Sequence, residues 1–252
     1  MTIAEKILRA KSDYDAVYEA GKNAGGGGGQ GSYDEGYEAG QKAEYDAFWD
    51  GYQSNGHQTM LDYFFAGKGW VKATIKPKID LKPTRANSMF SMNGFKGDLA
   101  QHFETLGKEL DFSNCTMING LFSNANEITR LGTLDFRKVT YGTGWFAYMR
   151  KLITIDKLLL SENTISPGNH ALQECYELTN LTIEGVINKN GYSFQWSTKL
   201  SKVSIESIMA ALSTTTSGLT VTLSKTAVNN AFTKDEWEAL VSQHTNWTIS
   251  LI

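Results

Sequence analysis

The chain has 252 residues, 41% of them hydrophobic and 12% aromatic, enough to bury a substantial core in one or two domains. Its formal net charge of -3 comes with no long basic run, so it lacks the electrostatic footprint of a nucleic-acid binder. Two cysteines, Cys115 and Cys175, are too few for a disulfide scaffold and too isolated for a zinc set; they read as small buried apolar residues.

The start, MTIAEKILRAKSDYD, has no uninterrupted apolar stretch and no cleavage-like site, and no run in the chain approaches the length of a membrane span. The expectation is synthesis in the cytoplasm without export by the usual signal peptide. Residues 1–24 place Ile3, Ile7, Ala10, Tyr14, Val17, Gly21 and Ala24 at alternating steps of four and three, a heptad seam that predicts an amphipathic helix associating along one face. A helix of about three heptads is marginal alone in water, so it either pairs with the next helix or bundles with other copies. A homotrimer is the expected state.

Gly25 to Gly29, with Gln30, Gly31 and Ser32, make 25–32 a flexible linker, because glycine loses the most backbone entropy on ordering. A phosphate-binding loop would need a preceding strand and a closing Gly-Lys-Ser/Thr, and Ser-Tyr-Asp follows instead. Over 33–56 a helical motif returns: YDAVYEAGKNAG at 14–25 is echoed by YDEGYEAGQKAE and YDAFWDGYQSNG. Its small residues, Gly40 among them, beside Tyr33 and Tyr37 suit closely approaching helices, and these three join the seam as expected oligomerisation residues. Residues 57–88 hold Pro77 and Pro83 with Tyr63, Phe64, Phe65 and Trp70, and read as a connector and N-terminal cap.

From 89 to 203 the chain repeats itself. MFSMNGFKGDL, LFSNANEITRL, WFAYMRKLITI, ALQECYELTNL and SFQWSTKLSKV align in one frame, with Phe90, Phe122, Phe146, Leu172 and Phe194 each followed nine positions later by Leu99, Leu131, Ile155, Leu181 and Val203. Recurrence every 22 to 26 residues after the first unit predicts a solenoid whose short strands stack coil on coil around these ten core residues. LDFSNCTMINGLF at 110–122 matches LDFRKVTYGTGWF at 134–146, and leucines three apart, as at Leu131 and Leu134, send successive side chains inward. AQHFETLGKE between Leu99 and Leu110 is a short helical insertion.

Residues 204–252 change pattern and predict an α+β C-terminal cap. SIESIMAAL reads as a helix, GLTVTL at 218–223 as a strand, and TKDEWEALVSQH as a helix opened by a Thr233/Glu236 capping box. NWTISLI is expected to pair with 218–223 and cover the last open sheet edge.

Motifs of catalysis and metal binding are not recognisable. His57, His102, His170 and His244 lack metal-ligand spacing, there is no Gly-x-Ser-x-Gly elbow, and the repeated Asp111 and Asp135 suit turn capping better than a calcium ladder. The expectation is no catalytic residue, no metal and no cofactor.

The Phe-x5-Ile/Leu-x2-Leu/Ile repeat resembles BspA-like bacterial leucine-rich repeat proteins, with Lys96 replacing the second anchor of the first unit. With YEAGQKAEYDAFWDGYQSNG, GKGW at 67–70, ELDF at 109–112 and residues 182–191, it looks like those encoded by phages and prophages of gut Firmicutes. The fold expected is an α/β solenoid of short irregular leucine-rich repeats with a helical N-terminal oligomerisation segment. The resemblance implies a non-enzymatic virion component, near the tail, that binds other virion proteins or a host-surface receptor. A bacterial cell-surface adhesin is the alternative, and a glycan-active enzyme on a repeat scaffold a third reading.

Overall fold

A computed structural model of the chain describes residues 80–92, 95–168 and 170–252. The heptad segment, the glycine linker, the helical repeat and most of the connector, and with them Ile3, Ile7, Ala10, Tyr14, Val17, Gly21, Tyr33, Tyr37 and Gly40, lie outside the described residues. So does the trimer expected from them.

The described chain builds two parallel sheets. β1 (Gly97–Asp98), β2 (Ile128–Asp135), β3 (Thr154–Leu159) and β4 (Asn180–Glu184) lie side by side in chain order, and β5 (Tyr192–Phe194), β6 (Leu219–Leu223) and β7 (Trp247–Leu251) form the second sheet in the same manner. Parallel neighbours need a long return of chain between them. Here the returns into β2 and β3 carry a second, thinner ladder: Met117 bridges Arg85 on one side and Tyr141 on the other, again in parallel.

The side-chain pattern explains the stacking. In β2, Ile128, Leu131 and Leu134 are buried, and Leu131 and Leu134 lie in register with Ile155 and Leu158 of β3. These inward residues are three apart in both β2 and β3. In β4, Leu181 and Ile183 are two apart, and the register shifts between Ile155 and Leu158 to absorb the difference.

Behind the strands runs an aromatic column. Phe122 stacks on Phe90 with ring centroids 5.2 Å apart and on Phe146 at 5.9 Å, while Phe112 and Phe136 meet edge to face at 5.9 Å. Phe90, Leu99, Phe122, Leu131, Phe146, Ile155, Leu172, Leu181 and Phe194 are all buried. Val203 is not. It is 71% exposed, and the expectation of a core residue there is corrected. The fifth unit turns helical at Ser201, the N-cap of α2 (Lys202–Ala210), so the position nine after Phe194 falls on the solvent side and Ser204 and Ile205 face inward instead.

α2 stands against β4 where another strand would lie. The Leu181 N–H donates to Ser204 Oγ and the Ile183 N–H to Ser207 Oγ, at 2.9 and 2.8 Å. The Ser204 hydroxyl in turn donates to the Thr179 carbonyl at 2.9 Å. Serines three apart on one helix face thus satisfy backbone groups that a sheet edge leaves open.

The remaining helices are short. α1 (Leu99–Thr105) is the insertion in the first unit, N-capped by Asp98, whose Oδ1 accepts the Gln101 N–H at 2.9 Å. It rests on β2 so closely that a β-carbon at Gly132 would stand 2.9 Å from the Ala100 β-carbon. α3 (Lys225–Ala231), which the sequence pattern did not announce, starts from Ser224. α4 (Lys234–Val241) opens with the capping box of Thr233 and Glu236, and none of its side chains is buried. β7 pairs with β6 along its whole length, from Leu219 with Trp247 to Leu223 with Leu251.

Candidate functional site

One backbone position recurs around the ladder. Met92, Asn124, Tyr148 and Glu174 are the fourth residues of four successive units, and all four adopt left-handed φ angles of 52°, 60°, 64° and 58°. For non-glycine residues this conformation costs roughly 1–2 kcal/mol each, so the surrounding packing has to hold it. In the next position Ala125, Met149 and Cys175 are buried, and the left-handed residue swings the chain to send them inward.

That turn displays side chains to solvent. Tyr148, Arg150, Glu174, Tyr176 and Trp196 come from three consecutive units. Arg150 holds Glu174 through Nε and Nη2 at 2.9 and 2.7 Å. Glu174 raises the guanidinium's pKa above its ordinary value, with Tyr176 and Tyr148 adding to it from nearby. The rings of Tyr176 and Trp196 meet edge to face, centroids 6.0 Å apart, and remain 38% and 37% exposed. Two partly exposed rings beside an oriented arginine are of the residue types that dominate binding hot spots.

Several of the ladder's other charges are paired between neighbouring repeats. Arg130 bridges three strands, reaching Asp98 at 2.6 Å and Asp156 at 2.9 and 2.5 Å. Burial works to raise the Asp98 pKa, yet the Gln101 N–H and Arg130 together hold it below the usual carboxylate value. Lys151 pairs with Glu127, Lys157 with Glu184 and Lys199 with Glu177. Such exposed pairs add little stability singly but reduce the local field.

Asp111 and Asp135 cap turns. Asp111 accepts from the Ser113 N–H at 2.7 Å and from its hydroxyl at 3.0 Å; Asp135 accepts from the Arg137 N–H at 3.1 Å. Cys115 and Cys175 are buried free thiols. Cys175 Sγ donates to the Phe146 carbonyl at 3.1 Å, and burial pushes its pKa up to about 12, which keeps it protonated and unreactive. His102 packs edge-on against Phe95 and Phe103, and burial lowers the pKa of His244. Among the described residues no group of three or more His, Cys, Asp or Glu is placed to hold a metal ion, and no helix is long and apolar enough to cross a membrane.

The aromatic cluster is what sequence reasoning missed. Its members sit at the fourth and sixth positions of their units, between the apolar anchors that define the repeat, and their chemistry differs from one unit to the next. Comparison with protein-family models, curated proteins and solved structures returns no match to this chain.

Proposed function

We propose that residues 89–203 form a short leucine-rich-repeat solenoid that serves as the binding part of a non-enzymatic phage structural protein. The observation that carries the binding role is the cluster of Tyr148, Arg150, Tyr176 and Trp196, assembled from consecutive repeats with both Tyr176 and Trp196 exposed. Parallel strands in chain order and the stacked Phe90, Phe122 and Phe146 support the solenoid, since each unit buries its anchor against the next. Placement in the virion, near the tail, rests on the resemblance of the helical repeat and the 182–191 segment to phage-encoded relatives.

In this reading the N-terminal segment joins copies into a trimer and holds them to the particle, while the cluster meets a host-surface receptor or a neighbouring virion protein. Mass spectrometry of gradient-purified particles from a producing host tests the placement. Co-purification with the particle is expected; recovery only in the cell-envelope fraction defeats it and favours the surface adhesin. Adsorption of the labelled full chain to host cells or purified particles tests the binding face. Trp196→Ala with Tyr176→Ala is expected to reduce it more than tenfold with the thermal midpoint little changed, and unchanged adsorption removes the cluster from the function.

A further inference from the structure

The two sheets end differently. The outer edge of β4 is satisfied by Ser204 and Ser207 of α2, whereas β7, the last strand of the second sheet, is paired only with β6 among the described residues. Backbone geometry fixes which of its groups face outward. The Gly218 N–H donates to the Asn246 carbonyl, the Ile252 N–H to Leu223 and the Lys225 N–H to the Ile252 carbonyl, so residues 246 and 252 bond toward β6. In a parallel ladder these residues alternate, which turns the N–H and C=O groups of Ile249 and Leu251 away from the sheet.

Edges of this kind are normally blunted by lysine, proline, a bulge or a covering element. Among the described residues β7 has none of these: it reads Trp-Thr-Ile-Ser-Leu, its register with β6 runs without a shift, and it carries no charge. Thr248 is exposed, Ile249 and Leu251 are half-buried, and α4 leaves Trp237, Leu240 and Val241 only half-covered on the segment leading into the strand.

We propose that β7 pairs antiparallel with β7 of a second copy of this chain, about a two-fold axis at Ile249. The strand is complementary to itself in that arrangement. Thr248 comes opposite Ser250 of the other copy, Trp247 opposite Leu251, and Ile249 opposite itself, so polar meets polar, apolar meets apolar, and no charge faces its like. The pairing draws on neither the N-terminal segment nor the aromatic cluster.

The test is a disulfide trap in the full chain. Opposite Thr248 and Ser250 make a non-hydrogen-bonded pair with α-carbons about 4.5 Å apart, a separation a disulfide spans. Cys115 and Cys175 are buried and stay out of the reaction. T248C with S250C is expected to give a covalent dimer on mild oxidation, with a yield more than tenfold above that of Glu162→Cys, an exposed control. Adding Ile249→Pro removes one outward N–H without touching the β6 ladder and is expected to abolish the dimer; Leu251→Pro takes its place if that variant fails to fold. A yield no higher than the control overturns the proposal, as does a dimer that survives the proline. In cleared lysate, an adduct with a foreign protein in place of the dimer overturns the choice of a second copy.

Discussion

Ser204 does for Leu181 what a neighbouring strand would do: its hydroxyl receives the Leu181 N–H at 2.9 Å and passes its own proton to the Thr179 carbonyl at the same distance. Ser204→Ala leaves the Leu181 N–H without a partner at a buried site, while the Thr179 carbonyl keeps the Ser201 N–H at 2.9 Å. The expected cost is about 1–3 kcal/mol in chemical denaturation, with faster amide exchange at Leu181 than at Leu158. Unchanged exchange at Leu181 removes the edge-sealing role.

The aromatic column and the corrected anchor make a pair of opposite expectations. Phe122→Ala opens a cavity between Phe90 and Phe146 and is expected to cost about 3–5 kcal/mol. Val203→Asp, on the solvent side of α2, is expected to change stability by less than about 0.5 kcal/mol. Urea titration of both variants checks the contrast, and a severe loss in the second returns Val203 to the core.

Ser197 is fully buried and its hydroxyl has no hydrogen-bond partner, although it occupies the place filled by Ala125, Met149 and Cys175 in the preceding units. Ser197→Ala deletes an unsatisfied group and is expected to stabilise by up to about 1 kcal/mol. A lower thermal midpoint for the alanine variant runs against the assignment.

Gly132 is held small by α1. Gly132→Val is expected to push the helix from β2 and cost about 1–3 kcal/mol, since the new side chain meets the Ala100 β-carbon. Gly132→Ala with Ala100→Gly should recover part of the loss suffered by Gly132→Ala alone. Additive effects in that double-mutant cycle mean the two positions are not in contact.

Glu236 predicts an acid transition at the C-terminal helix. Its pKa is lowered from 4.5 to about 2, first by Lys202 and then by the Thr233 N–H and hydroxyl. A carboxylate depressed in the folded state contributes stability that is complete above its unfolded value and lost as pH falls toward the folded one, here between about 4.5 and 2. Fluorescence of Trp237, which packs on Phe232 at 5.7 Å, is expected to change through that window in the parent and not in Glu236→Gln.

The parts legible in the sequence are those where one residue type meets one requirement. Phenylalanine recurs because each ring stacks on its neighbour, and Thr233 with Glu236 announces a helix start because both side chains serve the same cap. Val203 misled because spacing alone placed it: it sits nine residues after Phe194, yet Ser201 begins a helix and the inward face changes. α3 escaped because KTAVNNA is short and carries two asparagines, with its cap on Ser224 outside the motif. The aromatic cluster escaped for a different reason, since exposed residues answer to a partner and leave no periodic trace.

The left-handed position at Met92, Asn124, Tyr148 and Glu174 carries four unrelated side chains on one unchanging bend. The bend recurs whatever side chain stands there, and after Asn124, Tyr148 and Glu174 it is followed by a buried residue. Substitution along this lane changes what the molecule shows to its surroundings, while the bend that carries it has already accommodated methionine, asparagine, tyrosine and glutamate.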